Sequence, residues 1–185
     1  MAEERILAKV GPSMCAAWEA LDPVTIVAIE GWCIGGGVAL AVACDWRVAG
    51  SDAKIYVPEL KLGMNMSWQS IPRLVNLIGP ARTKELLILA EPQGADLAKE
   101  WGLIDRVAQP GDALNKAKDL AIQVAGMPPI PVRMTKRAVT VSATVLNNAT
   151  SFMDVEQFMV TQHTSDAQEG MAAFFEKRKP KFEGC

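Results

Sequence analysis

The spacing of apolar residues changes along the chain between the short runs typical of buried strands and the three-to-four-residue period of helices. Short β-branched or apolar runs predict strands at residues 24–29, 46–49, 55–57 and 103–107. Helical spacing predicts helices over residues 5–20, 38–44, 71–78, 81–90, 96–101, 114–125 and most of the chain after residue 132. Strands that alternate with helices and give way to helices alone indicate an α/β fold with a helical C-terminal subdomain. We place the two parts at residues 1–126 and 127–185.

Glycine and proline mark the expected boundaries. Gly11 and Pro12 interrupt the first helical pattern, and Gly79 and Pro80 separate two helices. Residues 63–70 are predicted to form a loop. The proline-rich residues 127–131 predict a rigid linker before the C-terminal helices.

Three consecutive glycines, Gly35, Gly36 and Gly37, lie between the first predicted strand and a predicted helix. Glycine permits close approach of a ligand or of another backbone, and the free N–H groups at a helix start suit a phosphate, a carboxylate or an oxyanion. Val38 and Ala39 follow where a P-loop requires Lys and then Ser or Thr, and contiguous glycines do not fit a dinucleotide fingerprint. Tight packing of helix against strand, without a ligand, remains the alternative.

Composition narrows the class of protein. The chain has 185 residues, half of them hydrophobic, with a net charge of −2 and acidic and basic residues mixed along its length. This balance argues against nucleic acid or an anionic membrane as the main partner, and no apolar run approaches the roughly 18 residues of a membrane span. The four cysteines show no CxxC spacing, and we expect a cytoplasmic protein.

Six segments, in this order, resemble the enoyl-CoA hydratase/isomerase family, also called the crotonase superfamily. They are GWCIGGGVALAVACD at residues 31–45, YVPELKLG at 56–63, PRLVNLIG at 72–79, ARTKELL at 81–87, AKEWGLIDRV at 98–107 and EGMAAFFEKRKPKF at 169–182. The resemblance implies a spiral of β-β-α turns that acts on acyl-CoA thioesters. It also implies a further N-terminal segment of roughly 70–80 residues in family members, a soft prior on length. The chain thus corresponds to an N-terminally incomplete form of the spiral.

The resemblance assigns chemistry to two positions. Glu59 matches the family's catalytic glutamate, and its apolar neighbours in sequence would raise the pKa of its carboxyl group toward the range where it both accepts and returns a proton. A solvated surface carboxylate is the alternative. Gly36 matches the family residue whose backbone N–H binds the thioester oxygen, and Gly35 lies beside it. Because one acyl unit must touch both groups, we expect Glu59 and Gly36 to lie around one cavity.

Ala39 occupies the position at which family hydratases carry a second glutamate, twenty residues before Glu59. Addition of water suits two carboxyl groups, whereas moving a double bond requires one base that takes a proton from C2 and returns it at C4. We therefore expect an isomerase. The alternatives are a hydratase of reduced activity and a truncated, non-catalytic assembly or binding subunit.

The loop after Glu59 supplies the expected substrate-binding residues Met64, Ser67 and Trp68. Relatives that isomerise dienes or displace chloride carry aspartate at the position of Ser67, so serine disfavours those reactions. Trp68 is expected to shape the acyl pocket, with core packing as the alternative.

Phe158 and Lys177 match C-terminal residues that contact coenzyme A in family members, although the basic run around Lys177 also fits a solvated tail. No metal or redox cofactor is implied, because coenzyme A arrives as part of the substrate. Family members form trimers or dimers of trimers, and apolar residues after Pro131 support a homo-oligomer.

Overall fold

The chain crosses between two small sheets, so that each sheet joins strands that are distant in sequence. The computed structural model describes residues 2–185, except for the side chain of residue 148. In the first sheet, β1 (Ile26–Ile29), β3 (Trp46–Gly50) and β6 (Arg106–Ala108) lie parallel in that order. In the second, β2 (Trp32–Ile34) and β4 (Lys54–Tyr56) lie parallel, and β5 (Gln93–Gly94) pairs antiparallel to β4.

Helices cover the sheets and form the C-terminal third of the chain. Their bounds are α1 Ala2–Ala8, α2 Val10–Glu19, α3 Gly36–Ala41, α4 Ser70–Lys84, α5 Ala95–Trp101, α6 Ala113–Ala125, α7 Pro129–Thr144, α8 Asn147–Ser151, α9 Asp154–Gln162 and α10 Ser165–Glu176. The predicted break before Pro80 is present within α4, because Gly79 has a non-helical backbone with φ of +74°. A 3-10 helix spans Glu59–Leu62, and a π-helical turn spans Glu85–Leu89. Among residues 2–185, no helix is both long and apolar enough to cross a membrane.

The order of the elements forms a spiral of β-β-α turns. β1 in the first sheet leads to β2 in the second and then to α3; β3 and β4 repeat the same path and lead to α4. Parallel neighbours arise because each turn of the spiral returns the chain to the same sheet in the same direction. The expected α/β fold with C-terminal helices is therefore confirmed.

Buried aliphatic side chains fill the space between the sheets and the helices. Among the largest fully buried side chains are Ile55 on β4, Leu74 on α4, and Leu103 and Ile104 just before β6. The predicted strand at residues 103–107 is thus shifted: its first residues are core packing, and the paired strand begins only at Arg106.

Two predictions about prolines are wrong. The first helix does not break at Gly11 and Pro12: the boundary between α1 and α2 lies at Lys9, and Pro12 is in the first turn of α2. Proline is tolerated there because the N–H groups of a first turn have no partner within the helix. For the same reason the predicted linker at residues 127–131 is partly helical, since α7 already begins at Pro129.

The prediction also missed two short strands. β2 lies within the segment that we interpreted as a glycine turn, and its central residue, Cys33, is the only buried one of its three. β5 has two residues and pairs with Lys54 and Ile55 of β4. Neither strand is long enough to show a period.

The C-terminal helix lies directly against the 3-10 helix that begins at Glu59. A Cβ atom placed on Gly170 of α10 would be 2.6 Å from the backbone carbon of Leu62, and one on Gly63 would be 2.6 Å from Ala167 Cα. Backbone meets backbone at both positions, so no side chain fits between the two helices. α10 thereby forms the support under the turn that carries Glu59.

Candidate active site

The glycine turn and Glu59 meet at the ends of β2 and β4. The Gly35 N–H donates a hydrogen bond of 2.9 Å to the Tyr56 carbonyl oxygen, which ties the two strand ends together. Gly35 has φ of +50°, and a Cβ atom on it would overlap Oε1 of Glu59. Only glycine fits here, because the carboxyl group occupies the side-chain position. Covalent bond lengths then place the Gly36 nitrogen within about 7 Å of that carboxyl oxygen.

Glu59 is partly buried, and its carboxyl group lacks a full set of partners. Oε2 is buried with no hydrogen-bond partner among the described residues. Burial raises the pKa of Glu59 above its ordinary value, and a hydrogen bond with its own backbone only partly opposes this effect. A carboxyl group with a raised pKa and a free oxygen is suited to general acid–base catalysis.

Gly36 begins α3, so its N–H has no partner within the helix. Ala39 lies one turn further along and donates its backbone N–H to the Gly35 carbonyl oxygen at 3.0 Å. Residues three or four apart share a face of a helix, so Ala39 lies on the face of Gly35 and Gly36. Its side chain is fully buried. Position 39 of α3 therefore carries a buried methyl group and no carboxyl group.

The indole of Trp68 is inserted between two glycines. A Cβ atom on Gly36 would lie 2.8 Å from Cη2 of the indole, and one on Gly11 of α2 would overlap its five-membered ring. The ring therefore packs against the backbone of α2 and of the first residue of α3. Trp68 covers one side of Gly36, while Glu59 lies against the neighbouring Gly35.

The turn that carries Trp68 has a strained backbone. Trp68 and Gln69 both have left-handed conformations, with φ of +61° and +55°. Each such residue costs about 1–3 kcal/mol and persists only where the surroundings enforce it.

Asp154, the first residue of α9, provides part of that enforcement. Its Oδ2 accepts hydrogen bonds from Ser67 Oγ at 2.7 Å and from the Gln69 N–H at 3.3 Å. Ser67 and Asp154 are both buried, so the carboxylate is satisfied within the protein. The Ser67 hydroxyl group is thus hydrogen-bonded to α9.

Arg73 fixes the other side of the same turn. Its guanidinium group donates to the carbonyl oxygens of Trp68 and Gln69 at 3.1 and 3.0 Å. It also forms a two-point ion pair with Glu19 at the end of α2, with distances of 2.8 and 3.1 Å. A bidentate pair of this kind fixes geometry as well as charge. The turn is therefore tied to α2 and α9 at once.

The remaining predicted residues lie toward the C-terminal helices. Met64 lines a cleft of about 510 Å³, together with Thr161, Thr164 and Phe182 among others. Phe158 is partly buried on α9, and Lys177 is exposed at the C-terminal end of α10. The close contacts thus gather Gly35, Gly36, Glu59 and Trp68, and they do not include Phe158 or Lys177.

Three residues that hold this site were not predicted from the sequence. Gly11 was interpreted only as a helix breaker, and Arg73 and Asp154 were not considered. Asp154 is 87 residues from Ser67, and no local pattern connects the two. In the described part of the chain, no group of three or more potential metal-ligating side chains is present.

Comparison with known proteins agrees with this arrangement. A model of the enoyl-CoA hydratase/isomerase family matches residues 5–185. The chain belongs to this family. The family members to which it is similar include the crotonyl-CoA hydratase of Syntrophomonas wolfei, 34% identical over 180 residues, which are 97% of this chain and 69% of the relative. The short-chain-enoyl-CoA hydratase of Clostridium acetobutylicum is 31% identical, over 96% of this chain and 68% of the relative.

A solved structure extends the comparison to the fold. The enoyl-CoA hydratase from Mycobacterium avium subsp. paratuberculosis superimposes with a TM-score of 0.92 at 21% identity, over 97% of this chain and 73% of the other. At that identity the likeness concerns the fold. The chain spans about two thirds of the length of the curated family members it matches.

Proposed function

We propose that this site isomerises an enoyl-CoA thioester by moving one proton. The observation that carries the proposal is the Glu59 carboxyl group: its Oε1 lies against Gly35, and its buried Oε2 has no hydrogen-bond partner among the described residues. The same group lies near the Gly36 N–H. Coenzyme A enters as part of the substrate, and no resident cofactor is required. Phe158 and Lys177 are proposed to contact coenzyme A.

The proposed reaction has two proton transfers. Glu59 takes the proton from C2 of a 3-enoyl thioester, and the electron pair of that C–H bond spreads onto the thioester oxygen as a dienolate. The Gly36 N–H stabilises the negative charge on that oxygen; one such donor is typically worth about 3 kcal/mol. The neutral Glu59 then returns the proton at C4, the double bond moves to C2–C3, and the carboxylate is regenerated.

Isomerisation is proposed over hydration because Ala39 supplies no second carboxyl group. Ala39 is buried and lies three residues after Gly36 on α3. A methyl group there neither positions a water molecule nor shares its protons, whereas a proton shuttle between two carbons requires only Glu59.

Hydration of a 2-enoyl-CoA is the second candidate. The names of the two curated relatives, a crotonyl-CoA hydratase and a short-chain-enoyl-CoA hydratase, favour it. In that reaction Glu59 would activate the water without help from a second carboxyl group, and a lower rate is expected.

The test compares both reactions in the wild-type chain and in two variants. We expect faster isomerisation of 3-hexenoyl-CoA than hydration of 2-hexenoyl-CoA, and a decrease of about 10²–10⁴-fold in isomerisation for Glu59→Gln, which cannot accept the proton. Glu91→Gln, at an exposed position, is the matched control and should retain activity.

The outcomes separate the candidates. Faster hydration than isomerisation would replace the proposal with the hydratase. Equal activity of wild type and Glu59→Gln would remove Glu59 from the mechanism. If a folded wild-type chain binds acyl-CoA and turns over neither substrate, the non-catalytic binding subunit is the correct function.

A further inference from the structure

The indole of Trp68 fills the space between the backbone of Gly11 and that of Gly36, a space called the slot below. The ring lies between Gly11 and Gly36, neither of which carries a side chain that could fill the slot. Glu59 lies against Gly35 and the indole lies against Gly36, so the two side chains flank the backbone that carries the proposed oxyanion donor. An acyl chain that left this site on the indole side would meet the ring.

The ring is held in place by a strained turn rather than by a relaxed one. The left-handed backbone of Trp68 and Gln69 is not favoured locally. Asp154 bonds the residue on each side of Trp68, through Ser67 Oγ and the Gln69 N–H. Without that acceptor, the turn keeps its hydrogen bonds to Arg73 and those from the Ser70 Oγ and N–H to the Ser67 carbonyl oxygen.

We propose that Asp154 is a positioning residue for the substrate site: it holds the Ser67–Gln69 turn so that the Trp68 indole restricts the acyl group to short chains. This inference rests on the proposed binding of acyl-CoA at the same site. It does not depend on whether isomerisation or hydration follows, because the restriction acts on binding.

The experiment measures, by isothermal titration calorimetry, the dissociation constants of butyryl-CoA and octanoyl-CoA. Both are saturated thioesters that the enzyme cannot isomerise or hydrate. In Trp68→Ala the affinity for octanoyl-CoA relative to butyryl-CoA should rise by about tenfold or more over wild type, because additional methylene groups enter the opened slot. Trp68→Phe, with a smaller flat ring, should give a smaller rise and covers the case in which the alanine variant does not fold.

Asp154 is tested by the same ratio, the affinity for octanoyl-CoA divided by the affinity for butyryl-CoA. Asp154→Ala removes the acceptor and should raise the ratio with the indole still present, whereas Asp154→Asn keeps an oxygen at that position and should restore a ratio close to wild type. Val155→Ala, at the adjacent buried residue of α9, is the control for loss of packing alone and should lower the melting temperature without changing the ratio. Ser67→Ala removes one donor and is the second variant if Asp154→Ala does not fold.

An unchanged ratio in the Trp68 variants would overturn the proposal. An unchanged ratio in folded Asp154→Ala, or a change in Val155→Ala as large as in Asp154→Ala, would remove Asp154 from it. If wild type binds neither thioester, the proposed acyl-CoA site itself is wrong; if wild type binds both and the ratio does not respond, only the present inference is wrong.

Discussion

Burial affects the stability of the protein and the chemistry of Glu59 in opposite ways. A buried carboxyl group without a full set of hydrogen bonds destabilises the folded protein when it is ionised. The same burial raises the pKa of Glu59. A pKa nearer to neutral pH allows the carboxyl group both to accept and to return a proton. Burial of Glu59 therefore lowers the stability of the folded protein and makes this carboxyl group more reactive.

This cost predicts a pH-dependent effect of Glu59→Gln on stability. Because the folded chain binds the Glu59 proton more tightly than the unfolded chain, wild type loses stability from this group as pH rises above the ordinary pKa of 4.5. At neutral pH the glutamine variant should therefore have the higher melting temperature, and the difference should disappear below pH 4.5, where the wild-type carboxyl group is neutral in both states. Thermal denaturation followed by circular dichroism across this range measures the effect.

Glu91→Gln is the control, since an exposed carboxyl group should show no such dependence. A glutamine variant of Glu59 that is less stable than wild type at neutral pH and equal to it in acid would contradict the pKa direction.

At the scale of elements, the position of Glu59 depends on α10. The 3-10 helix Glu59–Leu62 is followed by Gly63, and both contact α10 through backbone atoms. Gly63 lies against α10, and Gly170 of α10 lies against Leu62. Displacement of α10 would therefore also displace Glu59, which lies three residues before Leu62. The catalytic turn and the C-terminal helix are expected to move as one unit.

Gly170→Ala tests this coupling. Its methyl group would lie 2.6 Å from the Leu62 carbon, so the two helices must separate, at a cost of about 1–3 kcal/mol in unfolding free energy. Isomerisation should fall as well, because Glu59 is no longer held against Gly35. Urea denaturation and initial rates measure the two effects.

Gln168→Ala, at an exposed position on α10, is the matched control and should change neither quantity. Wild-type stability and activity in Gly170→Ala would show that α10 and the Glu59 turn adjust independently.

Periodicity predicted the longer elements and failed where tertiary contacts decide the local structure. The helices α5 and α6 appear where their apolar spacing predicts them, because each has enough turns to show a period. β2 was missed because three residues beside three glycines look like part of a turn. The left-handed pair Trp68 and Gln69 gave no local signal, since neither residue is one that ordinarily adopts that conformation.

The same distinction between local pattern and tertiary contact applies to the residues of the candidate site. Glu59 and the glycines were identified because they lie in contiguous motifs that resemble a known family. Asp154 was not, because its role depends on a contact across 87 residues that only the folded chain creates.

At the scale of the whole molecule, the C-terminal helices expose many apolar side chains. α7 has no buried residue, and its exposed side chains include Ile130, Met134, Val139 and Val141. Phe152, Phe174 and Phe175 are exposed further along the chain. Large apolar side chains exposed in this number are typical of proteins that cover them at an interface.

We therefore predict a homo-oligomer, a trimer or a hexamer. Size-exclusion chromatography with multi-angle light scattering at micromolar concentration should give a mass of three or six chains. Met134→Lys together with Val141→Lys should shift the mass toward the monomer, whereas Lys116→Glu on the exposed side of α6 should leave it unchanged. A monomeric wild type would contradict the prediction.

The stack of Gly11, Trp68 and Gly36 also restricts the order in which the sequence can change over evolutionary time. While the indole is present, a residue with a side chain at Gly11 or Gly36 would collide with it. Replacement of Trp68 by a smaller residue must therefore come first, and only then are the two glycine positions free to vary. A lineage that loses the tryptophan can fill the slot from either helix and acquire a different pocket, whereas one that keeps it must also keep both glycines.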